Sequence, residues 1–204
     1  SKVVILIVIS VVCMSIVKAQ EFGGGEIAGV SSSQLSGDHL GGFNKLGLLL
    51  GVYTNRSLSR KLNVKMELNY IEKGSRNPEN NLTGAHEYSL NYIEIPVLLQ
   101  YQAQSNINIE SGLYLGILMK EVESYADGVI VEGNNPSNGS FNKTDFGFCI
   151  GLDYSISNSL SINSRLNNTF LFTPVRAHAS GAEIWYNQGQ YNTVLSFAIH
   201  YHLQ

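Results

Sequence analysis

The stretch YIEIPVLLQY, at residues 92–101, carries an acid and a proline inside an otherwise apolar run. Successive side chains of a β-strand point to opposite faces. One face here would be almost wholly apolar, formed by Ile93, Ile95, Val97, Leu99 and Tyr101. The other would hold Glu94 and Pro96, although a buried carboxylate needs a partner and proline cannot donate to a β-ladder. The stretch therefore predicts a strand with apolar surroundings on one side and an enclosed polar space on the other.

Alternation of apolar and polar residues with a period of two recurs in seven further segments. They lie near residues 21–32, 45–53, 62–73, 107–119, 146–154, 160–170 and 195–204. The first is rich in glycine and gives the weakest signal, whereas the last alternates most regularly. Together with the opening stretch, these segments predict eight strands and an all-β domain.

The connections between the predicted strands alternate in length along the chain. The long connections span roughly 33–43, 74–87, 121–143 and 174–190, and the short ones span roughly 56–60, 103–106 and 157–159. A soluble barrel has no reason to keep this asymmetry, whereas a bacterial outer-membrane barrel combines short periplasmic turns with long outer loops. The pattern predicts an eight-stranded antiparallel up-and-down transmembrane β-barrel, with a secreted lipocalin-like barrel or sandwich as the alternative.

The two faces of the predicted strands favour the membrane barrel. The polar face is rich in Gly, Asn and Ser, which suits a narrow interior, and the apolar face is continuous, which suits lipid. Aromatic residues occur on the apolar face towards both ends of the strands, as in the interfacial girdles of such barrels. The predicted girdles consist of Tyr101, Tyr154 and Tyr201 near the short turns and Tyr70, Phe146 and Phe170 near the long loops.

The N-terminal segment resembles a secretory signal peptide. Lys2 precedes an apolar run from Val3 to Met14, and Ala19 supplies a small residue at a cleavage point. We expect residues 1–19 to be a cleavable signal peptide and residues 20–204 to be the barrel domain, with an uncleaved anchor as the alternative. Cleavage would remove two lysines and change the formal net charge from −3 to −5. It would also leave Cys149 as the single cysteine, which excludes an intramolecular disulfide.

Charged residues on the polar face predict a network inside the barrel. We call this set the lumen charge network: Lys65, Glu67, Glu94, Glu110, Asp153 and Arg165. Counting from the short turns places Glu67, Glu94 and Arg165 near mid-height, where a long arginine could hold carboxylates bidentately. We predict a structural plug in preference to a proton or ion path, because an eight-stranded interior is just wide enough for side chains to fill. Pro96 is expected to mark a β-bulge.

Other classes of function have little support in the sequence. A net charge of −3 gives no basic surface for nucleic acid. Two cysteines cannot make a structural zinc site, and no G-x-S-x-G nucleophile motif occurs. We predict no catalytic residues, no metal and no cofactor. His200 and His202 fall on the polar face near the short turns, where we expect structural roles.

Three strands resemble the PorT-like outer-membrane β-barrel family of Bacteroidetes-type bacteria. The stretch YIEIPVLLQY matches that family's E-I-P strand, and LNVKMELNYIEKG at residues 62–74 is similar to its preceding strand. INIESGLYLGILM at residues 107–119 is similar to the strand that follows. The resemblance implies an eight-stranded barrel and, through the family's namesake, a link with type IX protein secretion. It carries no catalytic motif.

We therefore predict a small non-enzymatic integral outer-membrane protein, which serves as an accessory or structural subunit of an outer-membrane complex. Its partners would be outer-membrane lipid and one or more proteins, with the long loops extracellular and both termini periplasmic. Trp185 and Tyr186, in the last long loop, are the candidate partner-binding residues. The GVIVEG segment at residues 128–133 is expected to form a short β-extension above the membrane.

The alternative function is that of an enzyme acting on lipid A or phospholipid at the outer rim. Three histidines of the long loops have a potential catalytic partner beside them, and they are His39, His86 and His178, next to Asp38, Glu87 and Ser180. Such pairs could activate a hydroxyl group. A third function, a solute pore, is disfavoured by the small number of strands.

Overall fold

The computed structural model describes residues 22–37, 42–77, 85–125, 128–133, 139–177 and 189–203. These residues form ten strands, which are β1 Phe22–Ser36, β2 Lys45–Ser59, β3 Leu62–Arg76, β4 Ala85–Gln104, β5 Ile107–Tyr125, β6 Ile130–Glu132, β7 Thr144–Ser157, β8 Leu160–Thr169, β9 Arg176–Ala177 and β10 Gly189–Leu203. No helix in these ranges has the length and apolar character needed to cross a membrane.

Eight long strands close into an antiparallel barrel. Each of them pairs with its neighbour along the chain, in the order β1-β2-β3-β4-β5-β7-β8-β10, and β1 also pairs with β10. The closing seam runs from Gly24 opposite Leu203 to Ser36 opposite Tyr191. Closure leaves no unpaired edge strand in the barrel wall. A sheet in hydrocarbon needs such closure, because no water is present there to pair with free backbone groups. The predicted eight-stranded fold is confirmed, with the short strands β6 and β9 added to β5 and β10.

The connections alternate as predicted. Residues 60–61, 105–106 and 158–159 link β2 to β3, β4 to β5 and β7 to β8. Much longer segments follow β1, β3, β5 and β8, and two of these segments contain β6 and β9. Several strands extend further towards the long loops than the sequence indicates, and β4 reaches 20 residues.

Pro96 does not cause the expected bulge. Met66 pairs with Val97 and Asn69 pairs with Glu94, so β3 and β4 keep the same register on both sides of the proline. The pairing is instead interrupted for the two positions between them, because proline has no N–H to donate. On the other side, β4 and β5 stay in register through Pro96, and their register shifts only away from it, between Ala85 and Glu87, between Asn91 and Tyr92, and between Gln102 and Gln104.

The strands divide their side chains between the outside and the lumen. The outer face is apolar, and Tyr101, Tyr154 and Tyr201 lie half-exposed near its short-turn end. Polar and charged side chains are buried along the lumen, from the short turns to the long loops. Leu49 and Ile71 are apolar residues at polar-face positions of β2 and β3, and they are also buried and join a core cluster within the barrel. The lumen is therefore filled with side chains.

Candidate functional site

An arginine cluster, defined here as Arg165, Glu67, Glu110 and Lys65, occupies the middle of the lumen. Arg165 donates from Nη1 and Nη2 to the two carboxylate oxygens of Glu67, at 2.7 Å each, and from Nε to Glu110 at 2.8 Å. The Lys65 Nζ atom lies 3.1 Å from Glu67 Oε1 and 3.0 Å from Glu110 Oε2. Two cations thus face two carboxylates, all of them buried.

A glycine makes room for this cluster. Along the strand register, Glu110 of β5 lies opposite Gly151 of β7, which lies opposite Arg165 of β8. A Cβ atom added at Gly151 would lie 3.1 Å from Glu110 Oε1, 3.2 Å from Arg165 Cβ and 2.8 Å from the carbonyl oxygen of Ser164. Because Gly151 on β7 has no side chain, Glu110 on β5 and Arg165 on β8 can contact each other across it.

Neutral side chains complete the hydrogen bonding around the arginine cluster. Asn163 Nδ2 donates to Glu110 Oε1 at 2.8 Å, and Gln100 Nε2 donates to Glu110 Oε2 at 3.2 Å. Asn69 Nδ2 donates to Glu67 Oε2 at 2.8 Å. Buried ion pairs are stable only when such additional bonds satisfy the remaining lone pairs. This explains why the polar face is rich in amide side chains.

A lysine cluster, defined here as Lys73, Glu94 and Asp145, lies nearer the long loops. The Lys73 Nζ atom is 2.8 Å from Asp145 Oδ2 and also pairs with Glu94. It stands 4.6 Å from the ring centroid of Tyr114 and 4.9 Å from that of Tyr92. One cation thus serves two carboxylates, with aromatic rings beside it as further favourable surroundings.

Neutral donors concentrate on Asp145. Thr169 Oγ1 and Asn192 Nδ2 donate to its two oxygens at 2.8 and 2.9 Å, and the Tyr114 hydroxyl donates at 3.2 Å. Across the wall, Glu94 of β4 lies opposite Gly116 of β5, which lies opposite Asp145 of β7. The second cluster therefore repeats the arrangement of two charged residues that flank a glycine.

The short-turn end of the lumen holds a third, smaller polar group. Asp153 accepts from Ser161 Oγ at 2.9 Å and lies 3.4 Å from His200 Nδ1. His202 bonds the Tyr53 hydroxyl through its Nδ1 atom. Both histidines thus have partners inside the barrel, as expected of structural residues.

A cap closes the lumen towards the long loops. Arg176 of β9 pairs with Glu123 of β5 and donates to the carbonyl oxygen of Gly139 at 2.6 Å. Its guanidinium carbon lies 4.1 Å from the ring centroid of Phe141 and 5.7 Å from that of Tyr88. All four of these side chains are buried. Among the described loop residues, Gly139, Phe141 and Arg176 are thereby held against the barrel wall.

At the level of the cap, β6 pairs with the end of β5 and forms a hairpin. Val122 pairs with Glu132 and Ser124 pairs with Ile130. The side chains of Val129 and Ile130 are 50% and 65% exposed. The short β-extension expected from GVIVEG is therefore present, and it presents apolar side chains to its surroundings.

The structure divides the predicted lumen charge network into parts. Lys65, Glu67, Glu110 and Arg165 are brought together, and Asp153 lies with His200. Glu94 does not share Arg165 with Glu67 as expected, because it pairs with Lys73 in the cluster above.

Five buried charged residues of the described ranges lie outside the predicted network, namely Lys73, Glu121, Glu123, Asp145 and Arg176. Lys73 closes the predicted segment 62–73 on its polar face, so the alternation already marks it as a lumen residue. Asp145 lies one residue before the predicted segment 146–154, so a longer strand boundary would include it. Arg176 has no such signal, because its placement depends on how a loop folds over the mouth.

Several predicted residues lie outside the part of the chain that the structure describes. These are Trp185, Tyr186, His39, His178, Asp38 and Ser180, and the side chain of His86. Glu87, the proposed neighbour of His86, is described. Its carboxylate lies 2.8 Å from Lys45 Nζ and 3.6 Å from Arg76 Nε.

Potential metal ligands and one cysteine thiol occur in the described ranges. No group there of three or more His, Cys, Asp or Glu side chains could hold a metal ion. Cys149 is a free, buried thiol.

Comparison with known proteins identifies related sequences and folds. A family model described as "Outer membrane protein beta-barrel domain" matches residues 19–171, which is more than half of the chain. No curated protein matches the chain.

Among solved structures, Neisserial surface protein A is similar with 12% identity and a TM-score of 0.55, over 88% of this chain and 96% of that one. Ail, the attachment invasion locus protein of Yersinia pestis, has 12% identity and a TM-score of 0.49, over 89% and 99%. OprG from Pseudomonas aeruginosa has 15% identity and a TM-score of 0.40, over 92% and 97%. At such identities the likeness to Neisserial surface protein A concerns the fold alone.

Proposed function

We propose that the chain is a non-enzymatic accessory or structural subunit of an outer-membrane complex. The premise is that the chain belongs to the outer membrane protein beta-barrel domain family and is an integral protein of the bacterial outer membrane. One observation carries the proposal, which is that the buried charges of the lumen are engaged with one another. Arg165, Lys65 and Lys73 each contact two carboxylates. A barrel filled in this way offers a rigid support and a loop surface rather than a solute path.

The orientation belongs to the same proposal. Short turns on the periplasmic side and long loops on the outside are the rule for bacterial outer-membrane barrels. The long loops would then be extracellular and both termini periplasmic. A protease added to intact cells should cut within 121–143 or 174–190. Cleavage confined to 56–60 or 103–106 would show the reverse orientation.

The surface that meets a partner would lie on the long loops. The β5–β6 hairpin supports this, because Val129 and Ile130 are exposed apolar residues on a segment held by the barrel wall. Trp185 and Tyr186 of the last long loop are the further candidates. Aromatic and apolar anchors on a rigid scaffold are typical of protein interfaces.

The resemblance of three strands to the PorT-like family supports a finer proposal, that the complex is one for type IX protein secretion. Purification in a gentle detergent should then retain partner proteins with the barrel. Changing Trp185 and Tyr186 together to Ala, or Ile130 to Ser, should release these partners while the barrel stays folded. Ile199→Ala on the apolar outer face is the matched control and should retain them. Equal retention by all variants would contradict the loop surface.

The rim enzyme is the competing function. The His86–Glu87 pair is disfavoured, because the Glu87 carboxylate that would orient His86 already forms ion pairs with Lys45 and Arg76. Changing His39, His86 and His178 together to Gln should leave the phenotype intact. Loss of function with a change in lipid A or phospholipid composition, in cells that still assemble the barrel, would establish the enzyme instead.

A further inference from the structure

A groove runs along the outer face of the barrel, over β2, β3 and β4. Its upper part, towards the long loops, has a volume of about 430 Å³ and is lined by Val52, Tyr53, Thr54, Met66, Glu67, Leu68 and Ile95. Its lower part, of about 270 Å³, shares Thr54 and Met66 and continues towards the short turns past Val64, Leu58 and Phe22. The two parts adjoin at Thr54 and Met66, and we refer to them together as the groove, whose walls are largely apolar.

The groove lies over a defect in the wall. Met66, Leu68 and Ile95 surround the interruption of the β3–β4 ladder caused by Pro96. The outer side chains of Met66 and Leu68 are about half exposed. In an integral membrane protein this face meets hydrocarbon, so the natural occupant of an apolar groove along it is an acyl chain.

A basic group stands where the groove ends. Arg56 lines the lower part, and its guanidinium carbon lies 6.0 Å from the Phe22 ring centroid. Among the described residues, no carboxylate forms an ion pair with Arg56. Arg60 and Lys61 follow in the β2–β3 turn and are exposed. The other two short turns, Ser105–Asn106 and Asn158–Ser159, carry no charge.

We propose that this groove binds one glycerophospholipid, with an acyl chain along Met66 and Leu68 and the phosphate on Arg56. Charge and shape support this occupant jointly, because the cations occur at the turn beside the groove and not at the other two turns. Arginine suits a phosphate because it can donate two parallel hydrogen bonds to its oxygens. The inference depends on the proposed orientation only in assigning the bound lipid to the periplasmic leaflet.

The test uses the full chain purified in detergent, with phosphatidylglycerol added and bound lipids counted by native mass spectrometry. Arg56→Gln should weaken binding of the first lipid about tenfold, the effect expected from losing one charge-assisted contact. Met66→Trp should fill the groove and abolish that binding. The matched controls are Lys143→Gln, which removes an exposed cation near the long loops, and Ile199→Trp, which adds a ring to the outer face elsewhere. Both controls should bind like the wild type.

Diacylglycerol, which lacks the phosphate, should bind the wild type as weakly as phosphatidylglycerol binds Arg56→Gln. Each variant is first shown to be folded by its heat-dependent shift on gels. The proposal is overturned if Arg56→Gln and Met66→Trp bind like their controls, or if diacylglycerol binds as well as phosphatidylglycerol. Binding in detergent does not depend on orientation or on protein partners, so a negative result here would leave the proposed function standing.

Discussion

The arginine cluster and the lysine cluster of the lumen share one architecture but differ in charge balance. In each, charged residues on two strands flank a glycine of the strand between them, which is Gly151 in the first and Gly116 in the second. The arginine cluster sets two cations against two carboxylates. The lysine cluster sets Lys73 alone against Glu94 and Asp145.

Neutral donors compensate for the missing cation. Asp145 accepts from Tyr114, Thr169 and Asn192, which lowers the cost of a second buried carboxylate. The comparison shows two ways of filling a narrow barrel, one by matched charges and one by a single lysine with a shell of hydroxyl and amide donors. The lysine cluster depends on Lys73 alone for its positive charge, so loss of that cation should cost more stability than loss of Arg165 from the arginine cluster.

Lys73→Met should have the largest effect. It leaves two buried carboxylates without any cation, and the free energy of unfolding should fall by about 4 kcal/mol or more at neutral pH. Protonation would remove the stranded charges, so the deficit should shrink as the pH is lowered. Urea titration of the folded barrel in detergent at several pH values measures both effects. A deficit independent of pH would show that lost packing is responsible.

Arg165→Met should come next, with a loss of about 3 kcal/mol or more. It strands Glu67 and Glu110, but Lys65 stays within reach of both carboxylates. The same urea titration checks this. A neutral outcome would mean that the arginine cluster contributes nothing to stability.

Removing one carboxylate from each cluster sharpens the comparison. Glu110→Gln unbalances the arginine cluster and should cost about 2 kcal/mol. Asp145→Asn leaves Lys73 matched with Glu94 and should cost less, about 1 kcal/mol or below. Both changes turn an acid into its amide, so each is the control for the other. The reverse order in urea titrations would refute the role given to charge balance.

The two glycines should show the smallest difference. A Cβ atom at Gly151 would meet the Ser164 carbonyl oxygen at 2.8 Å, whereas at Gly116 the nearest atom, Tyr92 Cδ1, is 3.2 Å away. Gly151→Ala should therefore cost about 1–2 kcal/mol and Gly116→Ala less than about 1 kcal/mol. Unfolding midpoints in urea would rank them, and equal values would show that the middle strand does not limit the approach of the charged residues.

The sequence predicted the barrel well because the signals for a barrel are local. Alternation within each strand and the lengths of the connections are both legible in the chain, and they gave the strand number and the lumen-facing positions. The E-I-P stretch correctly predicts a strand with Glu94 inside, although Pro96 interrupts pairing without producing a bulge.

The partners inside the lumen were harder to predict. Which side chains meet across the barrel depends on the stagger between strands, and no single segment encodes that stagger. Counting along the strands puts Arg165 level with Glu94 and Glu67, whereas the register brings it to Glu67 and Glu110. The pairing of Arg176 with Glu123 joins a loop to a strand, and no periodic pattern indicates such a contact.

Electrical recording in planar lipid bilayers tests most directly the central claim that ion pairs fill the lumen. The wild-type barrel, inserted in concentrated potassium chloride, should give no stable stepwise conductance, because the arginine cluster, the lysine cluster and the cap of Arg176 and Glu123 lie along the lumen. Reproducible open steps from the folded wild-type protein would contradict the account and establish a solute or ion path.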